Sequence, residues 1–309
     1  MVSTSSKKSI STRAMKYWDE YNIWSRNHQV NDLQLIYSYL NEEYKQIPEK
    51  ERIGKGSVFI TKMIPEATIS ILINSDYIDP LEIINLIYYF HEVENSYHMK
   101  NYALALLSKY AITSKDAFAN AVEFIKIVIK HCAWEIREQS GIVIRETIKK
   151  FTAETLDLLD EWTDSSDENL RRLSIESSRP FRDVPWLRDP QKNDKIIDLL
   201  TKLKDDDSLY VRKSVGNNLK DLTKYMPDKI LALLKIWIAE AQITVSYDLA
   251  SKSKKELGNK GYNLIWTMKH ALRWLRERNS EYHKQIESLL GKNYLLYYHE
   301  KRNKMAVKR

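Results

Sequence analysis

The chain of 309 residues has little of the residues that build tight turns or crosslink small domains. It contains 7 Gly and 7 Pro, and because sheets and barrels need many turn residues, their scarcity predicts a mostly helical protein. Cys132 is the single cysteine, which excludes a disulfide framework and a metal site built on thiolates. We therefore expect the protein to work in a reducing compartment.

Long apolar runs are also missing. The longest, such as residues 83–90, fall far short of the ~20 residues that span a bilayer, so no membrane association is expected. Residues 1–16 lack an apolar centre, which predicts a disordered tail and no secretory signal. His91 and His98 lack the His-x-x-x-His spacing of a metal-binding helix. Residues 52–57 resemble a phosphate loop without its first glycine, so a helix-connecting turn is predicted there.

Positive charge is in modest excess. Lys and Arg total 49 against 42 Asp and Glu, a net charge of +7, which permits a nucleic-acid partner without requiring one. Apolar residues recur with helical period along most of the chain. In the first half of the chain, helices are predicted at about 14–26, from 31, and at 58–73, 80–97, 100–110 and 117–130. Residues 242–259 are predicted to form a joint or surface loop, followed by helices at 264–278 and 281–290.

Two segments in the middle of the chain repeat one pattern with one spacing. Ile136 lies 26 residues before Trp162, and Val211 lies 26 residues before Trp237. In each segment a branched aliphatic residue followed by Arg opens one helix, and the tryptophan closes the next. Internal repetition of this length is typical of stacked helix hairpins.

Three arginines near helix starts give the period of these hairpins. Arg137, Arg171 and Arg212 follow one another at intervals of 34 and 41 residues, which fits repeats of HEAT type. The predicted fold is therefore all-α, a HEAT-like helical-repeat solenoid forming a right-handed superhelix with a concave basic face. We expect one domain over 17–295, clearest at 117–240, and a basic C-terminal tail at 296–309.

These arginines, with Arg172 and Lys213 beside them, allow two interpretations. A row of cations beside helix starts would suit contact with a phosphate backbone, because such contacts are electrostatic and independent of base sequence. Alternatively, each arginine pairs with an acid of the neighbouring repeat and holds the stack together. The sequence leaves both interpretations open for any single arginine.

Residues 132–148 place two faces on one helix. One face is an apolar stripe at helical spacing, formed by Ile136, Val143, Ile144 and Thr147. A different face carries Trp134, Glu138 and Arg145. Taken alone, the segment favours Trp134 in the core and Glu138 as a solvated charge. The rest of the chain favours a functional site.

The segment 171–188 reads as an insertion rich in Arg, Pro and aromatics. Pro180 ends a helix and Pro185 stiffens the following loop, which would present Arg179, Arg182 and Trp186. Trp186 either packs onto the solenoid or forms a wall of the site.

Several motifs between about 120 and 275 carry a resemblance to a known family. They are Trp134-Glu-Ile-Arg-Glu138, Asn169-Leu-Arg-Arg-Leu-Ser174, Ser178-Arg-Pro180 with Pro185-Trp186, the run from Tyr210 to Asp228, and Lys269-His-Ala-Leu-Arg273. Together they resemble the HEAT-like DNA alkylation-repair glycosylases of the AlkC/AlkD superfamily. Val215-Gly-Asn-Asn-Leu-Lys-Asp221 is closest to the AlkC branch.

The resemblance implies hydrolysis of the N-glycosidic bond of cationic alkylated bases in duplex DNA. It implies a catalytic carboxylate four residues after a tryptophan, the positions of Glu138 and Trp134, with Asp221 at a second acidic position of the AlkC branch. Arg172 matches an arginine that would hold a flanking phosphate. No metal or other cofactor is implied, and we expect a monomer in the bacterial cytoplasm or nucleoid. The residues expected to contact DNA are Arg137, Arg172, Arg179, Trp186, Arg212, Lys213, Asn217, Lys220 and Arg273.

Two positions depart from the family pattern. Asn217 stands where AlkD-type members have a second stacking tryptophan, and Gln139 stands where the AlkC branch commonly has an aromatic residue. Two other functions therefore stay open: a non-catalytic HEAT-like protein that binds DNA structures, and a protein-interaction solenoid.

Overall fold

The computed structural model describes residues 80–92 and 97–296, together with Lys45, Pro65 and Ile69. All regular elements in these ranges are helices and none is a strand, which confirms the all-α prediction. No helix among them is long and apolar enough to cross a membrane. The turn predicted at 52–57 lies outside the described residues. So do the helices predicted before residue 74, apart from Pro65 and Ile69, and the tails predicted at 1–16 and 296–309, apart from Leu296. The chain divides into two compact units between Phe151 and Thr152.

The first unit holds four described helices, and the second of them is largely buried by the other three. Ser114 caps the third of them, because its side chain accepts a hydrogen bond from the backbone amide of Ala117 at 3.0 Å, so this helix starts two residues before the predicted Ala117. Its core includes the fully buried Phe124, Ile125 and Val143. The helices are α1 (Pro80–Glu92), α2 (Tyr97–Tyr110), α3 (Lys115–Val128) and α4 (Trp134–Lys150).

The second unit continues the helical hairpins. Trp162 and Trp237, the two tryptophans of the predicted repeat, are both buried, and the indole of Trp237 donates to the hydroxyl of Thr201 at 3.2 Å. The two tryptophans that recur at equivalent positions of the sequence repeat thus both lie in the core. The helices are α5 (Thr152–Thr163), α6 (Glu168–Ser177), α7 (Asp194–Lys202), α8 (Leu209–Leu222), α9 (Pro227–Glu240), α10 (Lys254–Arg278), α11 (His283–Leu290) and α12 (Lys292–Leu296), with short 3-10 turns at Pro185–Arg188, Leu249–Ser251 and Ser280–Tyr282.

The three regularly spaced arginines make the same local contact. Each donates its Nη1 hydrogens to the carbonyls five and six residues before it, and so closes the loop that leads into its own helix. The Nη1 to oxygen distances are 2.7 and 2.9 Å for Arg137, 2.9 and 3.0 Å for Arg171, and 2.5 and 3.0 Å for Arg212.

The joint predicted at 242–259 is shorter than expected. Helix α10 begins at Lys254, because the Glu256 carboxylate accepts a hydrogen bond from the backbone amide of Ser253 at 2.7 Å and caps the first turn. Gly258 then adopts φ 68° and kinks the helix. The prediction that residues 254–259 form a loop is therefore wrong. Met268 and Leu272 of this helix are fully buried.

Candidate functional site

Trp134 and Glu138 lie one helical turn apart at the start of α4. Trp134 is 57% exposed and Glu138 is half-buried, whereas Ile136 between them is buried. Two residues along a helix correspond to about 200° of rotation, so Trp134 and Ile136 point in opposite directions. The interpretation that Trp134 belongs to the core is wrong for this reason. The predicted apolar stripe is confirmed, since Val143 and Ile144 are fully buried.

Hydrogen bonds from Arg137 and to His131 hold the loop before α4 against the start of the helix. Arg137 donates to the carbonyls of His131 and Cys132, and the backbone amide of Ala133 donates to Nδ1 of His131 at 3.1 Å. Ala133 at the helix start has no side chain that caps the helix. The contacts of Arg137 and His131 therefore set the direction in which the chain enters the first turn, from which Trp134 projects.

The second unit contains a cluster of charged side chains around Asp221. Oδ1 of Asp221 lies 2.7 Å from Nζ of Lys224 and 2.9 Å from Nζ of Lys220, and Oδ2 accepts from Nε of Arg179 at 3.1 Å. Arg179 also pairs with Glu176. Burial alone would raise the pKa of Asp221, but hydrogen bonds from Lys224, Arg179 and Lys220 outweigh it and hold that pKa well below its usual range. Asp221 is thus an ionised anchor for these cations, and its assistance to Glu138 stays a prediction.

The residues that were predicted to project from the loop after α6 differ in their exposure to solvent. Arg182 is exposed and Trp186 is half-buried in the 3-10 turn that follows Pro185. Arg179 instead turns to the carboxylates of α6 and α8. Asn218 joins the same two helices, since its Nδ2 donates to the carbonyl of Ile175 at 3.0 Å.

Helix α8 approaches α10 through a glycine. A Cβ placed on Gly216 would lie 2.6 Å from Cδ2 of His270, so only glycine admits the imidazole at this distance. His270 stacks on Trp266, one turn earlier on α10, with ring centroids 5.0 Å apart. Its ring Nε2 lies 3.2 Å from Oδ1 of Asn217, and Arg273 donates to that same oxygen at 2.6 Å.

The remaining predicted arginines occupy defined places on the repeats. Arg171 pairs with Asp206, in the loop before α8, with Nε and Oδ2 2.8 Å apart. For Arg171 the structure therefore shows pairing with the neighbouring repeat. Arg172 lies 4.0 Å above the ring of Tyr210 and donates to its carbonyl at 2.9 Å. Arg212 lies 5.6 Å from the ring centroid of Trp266. Contact of these arginines with DNA stays a prediction.

The predicted residues are thus divided between the two units. Trp134, Arg137 and Glu138 belong to the first unit, and the other nine belong to the second. Within the second, Asn217 of α8 contacts Arg273 of α10, and Asp221 of α8 pairs with Lys220 and with Arg179 from the end of α6. Lys213 of α8 lies near enough for its charge to lower the pKa of His270. No group of three or more metal-ligating side chains occurs in the part of the chain that the structure describes.

Sequence reasoning missed His270, Trp266 and Glu176. His270 lies inside the motif 269–273 and four residues after Trp266, so the spacing of an aromatic and an imidazole on one helix face was the available signal. Glu176 had no signal of its own, because its role depends on Arg179 and Ser214, and the latter donates to it at 2.9 Å.

Comparison with known proteins places the chain in a family. Residues 93–275, more than half of the chain, match the model of a family described as DNA alkylation repair enzyme. YhaZ of Bacillus subtilis (strain 168), described as uncharacterized, is 25% identical over 255 residues; these cover 81% of this chain and 58% of YhaZ. The chain therefore spans little more than half the length of this relative.

Two solved structures share the fold. The crystal structure of AlkD2 from Streptococcus mutans is 24% identical and matches with a TM-score of 0.50, covering 77% of this chain and 98% of that one. Alkylpurine DNA glycosylase AlkC from Pseudomonas fluorescens, bound to DNA containing an abasic site analog, is 21% identical with a TM-score of 0.55, covering 92% and 68%. The helical-repeat fold is thereby confirmed. By its match over residues 93–275, the chain belongs to the DNA alkylation repair enzyme family.

Proposed function

We propose that the protein is a DNA N-glycosylase that hydrolyses the N-glycosidic bond of cationic alkylated bases, of the 3-methyladenine and 7-methylguanine type, in duplex DNA. The observation that carries the proposal is the exposed indole of Trp134 with the carboxylate of Glu138 one turn later, within the part of the chain that matches the family. The structure of AlkC bound to DNA, which shares the fold, supports DNA as the partner.

The chemistry suits an aromatic ring and a carboxylate. An alkylated purine carries a positive charge and is a good leaving group, so the enzyme need not protonate it. Cleavage of the bond leaves positive charge on the sugar, and the carboxylate of Glu138 would stabilise this oxocarbenium-like state and orient the attacking water. Trp134 would stack on the sugar or the base. No step of this reaction uses a metal or a nucleotide cofactor.

Binding of the duplex would come mainly from cations on the second unit. Lys213 is exposed on α8, and Arg182 is exposed in the loop after α6. Arg172 is held by Tyr210, which would direct its guanidinium toward a flanking phosphate. Such contacts with the backbone are electrostatic, and they supply affinity that depends on salt and little on base sequence.

The competing function is a non-catalytic protein that binds DNA structures. Its support is Asn217, a polar residue held by His270 and Arg273 where AlkD-type members have a stacking tryptophan. An experiment must therefore measure binding and base release separately.

Replacing Glu138 by Gln distinguishes base release from duplex binding. Glu138→Gln keeps the size of the side chain and removes its charge, so we expect release of 7-methylguanine from a methylated duplex to fall by at least about 100-fold. Affinity for the duplex, measured by fluorescence anisotropy, should stay within about twofold, because one half-buried carboxylate contributes little to contact with an anionic backbone.

Glu135→Gln is the matched control. Glu135 lies in the first turn of α4, three residues before Glu138, and is half-buried like it. Glu135→Gln removes the same negative charge. It should leave base release near that of the parent protein. Equal release by the parent and the Glu138→Gln variant would remove Glu138 from the reaction. Binding without release by the parent protein would favour the non-catalytic function.

A further inference from the structure

Helices α8 and α10 place two short rows of polar side chains side by side. Lys213, Asn217 and Lys220 follow one another at helical spacing on α8, and His270 and Arg273 do so on α10. Gly216 allows the two helices to pack closely enough for the rows to meet. Asn217 is where they touch, because its side chain contacts both residues of α10.

The orientation of the Asn217 amide is determined by Arg273. A guanidinium can only donate hydrogen bonds, so the atom that it contacts at 2.6 Å must be the carbonyl oxygen Oδ1. His270 then donates through Nε2 to the same oxygen at 3.2 Å. The Nδ2 group of Asn217 therefore points away from α10, and no residue in the described ranges accepts a hydrogen bond from it.

The surroundings of Asn217 are cationic. Burial, together with the positive charges of Arg273, Lys220 and Lys213, lowers the pKa of His270 to about 4, so the imidazole is neutral near pH 7. Asp221 compensates part of this charge, since it pairs with Lys220. Lys213 is exposed at the surface. A free amide donor among cations, on a half-exposed side chain, is suited to an oxyanion.

We propose that Asn217 binds a phosphate oxygen of the nucleic-acid backbone through Nδ2, with Lys213 and Lys220 supplying charge on either side and with Arg273 and His270 as positioning residues that lock the amide. The inference rests on the proposed function, since duplex DNA is the ligand, but it requires no bond cleavage. It also explains an asparagine in place of an aromatic ring, because this position contributes a hydrogen-bond donor instead of a stacking surface.

The variant Asn217→Asp tests the donor directly. Aspartate keeps an oxygen for Arg273 and His270 and replaces the amide donor by a second anionic oxygen, so the packing of α8 on α10 is preserved. Affinity for an undamaged duplex should fall at least about tenfold at low salt, and the slope of log affinity against log salt should become shallower by about one unit. Both are measured by fluorescence anisotropy.

Asn259→Asp is the matched control. Asn259 is exposed near the kink of α10, roughly 16 Å along the helix from His270, and the change adds the same negative charge. It should alter affinity less than about twofold, as expected for a screened distant charge. Equal losses in the two variants would assign the effect to net charge and overturn the proposal.

Nuclear magnetic resonance distinguishes backbone phosphate from free phosphate and reports on the positioning residues. The side-chain amide signals of Asn217 should shift on addition of equimolar duplex and only weakly on addition of millimolar inorganic phosphate. If the duplex causes no shift, the proposal is overturned. If inorganic phosphate alone saturates the shift, the assignment to the nucleic-acid backbone is overturned. In Asn217→Asp the titration midpoint of His270 should rise from about 4, because a carboxylate stabilises the imidazolium. An unchanged midpoint overturns the positioning role.

The two proposals fail separately. A parent protein that binds duplex and releases no base, with weakened binding in Asn217→Asp, leaves the phosphate contact standing and removes the glycosylase. Base release that depends on Glu138, with unaltered binding in Asn217→Asp, does the reverse.

Discussion

Trp134 is exposed to solvent, whereas the two tryptophans of the repeat, Trp162 and Trp237, are buried. Trp162 is 1% exposed and holds a helix hairpin together, whereas Trp134 is 57% exposed at the first turn of α4. An indole that stays exposed to water adds little to the free energy of folding, so Trp134 contributes energetically only when a bound partner covers it. We propose that the sugar or base of a damaged nucleotide covers it.

Substitution by Ala separates these two kinds of tryptophan. Trp134→Ala should change the free energy of unfolding by less than about 0.5 kcal/mol, because an exposed side chain loses little packing. Base release should fall. The same change at Trp162 should cost about 4 kcal/mol by emptying part of the core. Urea unfolding followed by circular dichroism measures both, and a large loss of stability in Trp134→Ala would return Trp134 to a structural role.

Helix packing around Gly216 carries the polar part of the site. The glycine lets α8 approach His270, and His270 with Arg273 then orients Asn217. The resemblance singled out the run Val215–Asp221 but could not separate residues that pack helices from residues that face a ligand. Gly216 and Asn218 are buried between helices, whereas Asn217, which also contacts α10, is half-exposed.

Gly216→Ala tests the close approach. The added Cβ would lie 2.6 Å from the His270 ring, which is fixed by stacking on Trp266, so one helix must shift. We expect a loss of about 2 kcal/mol in the free energy of unfolding, typical of overpacking. Gly261→Ala is the control, since its Cβ would meet Leu257 at an ordinary 3.4 Å and helix propensity favours Ala by ~1 kcal/mol. Equal effects would contradict the close approach.

Much of the helical organisation followed from the sequence, because burial imposes its period on apolar residues. The repeat of Trp162 and Trp237 predicted two equivalent helix hairpins, and in the structure both tryptophans are buried. Helix ends were less predictable. The start of α10 depends on the side chain of Glu256 reaching the amide of Ser253, and a single hydrogen bond of this kind leaves no periodic signal.

The functions of the arginines could not be read from their spacing. Arg137, Arg171 and Arg212 recur because each closes the loop before its own helix, and Arg171 pairs with Asp206 as well. A regular cation is equally compatible with a phosphate and with a carbonyl of its own loop, since both present oxygen acceptors. Their regular spacing therefore reflects the repeat, and DNA contact by them requires its own test.

Release of free base from methylated DNA tests the central claim most directly. Purified protein is incubated with duplex DNA treated with a methylating agent, and the soluble fraction is separated by chromatography, with Glu138→Gln in parallel. The account predicts free 3-methyladenine or 7-methylguanine from the parent protein and none above background from Glu138→Gln. Duplex binding by both proteins with no base released by either would contradict it.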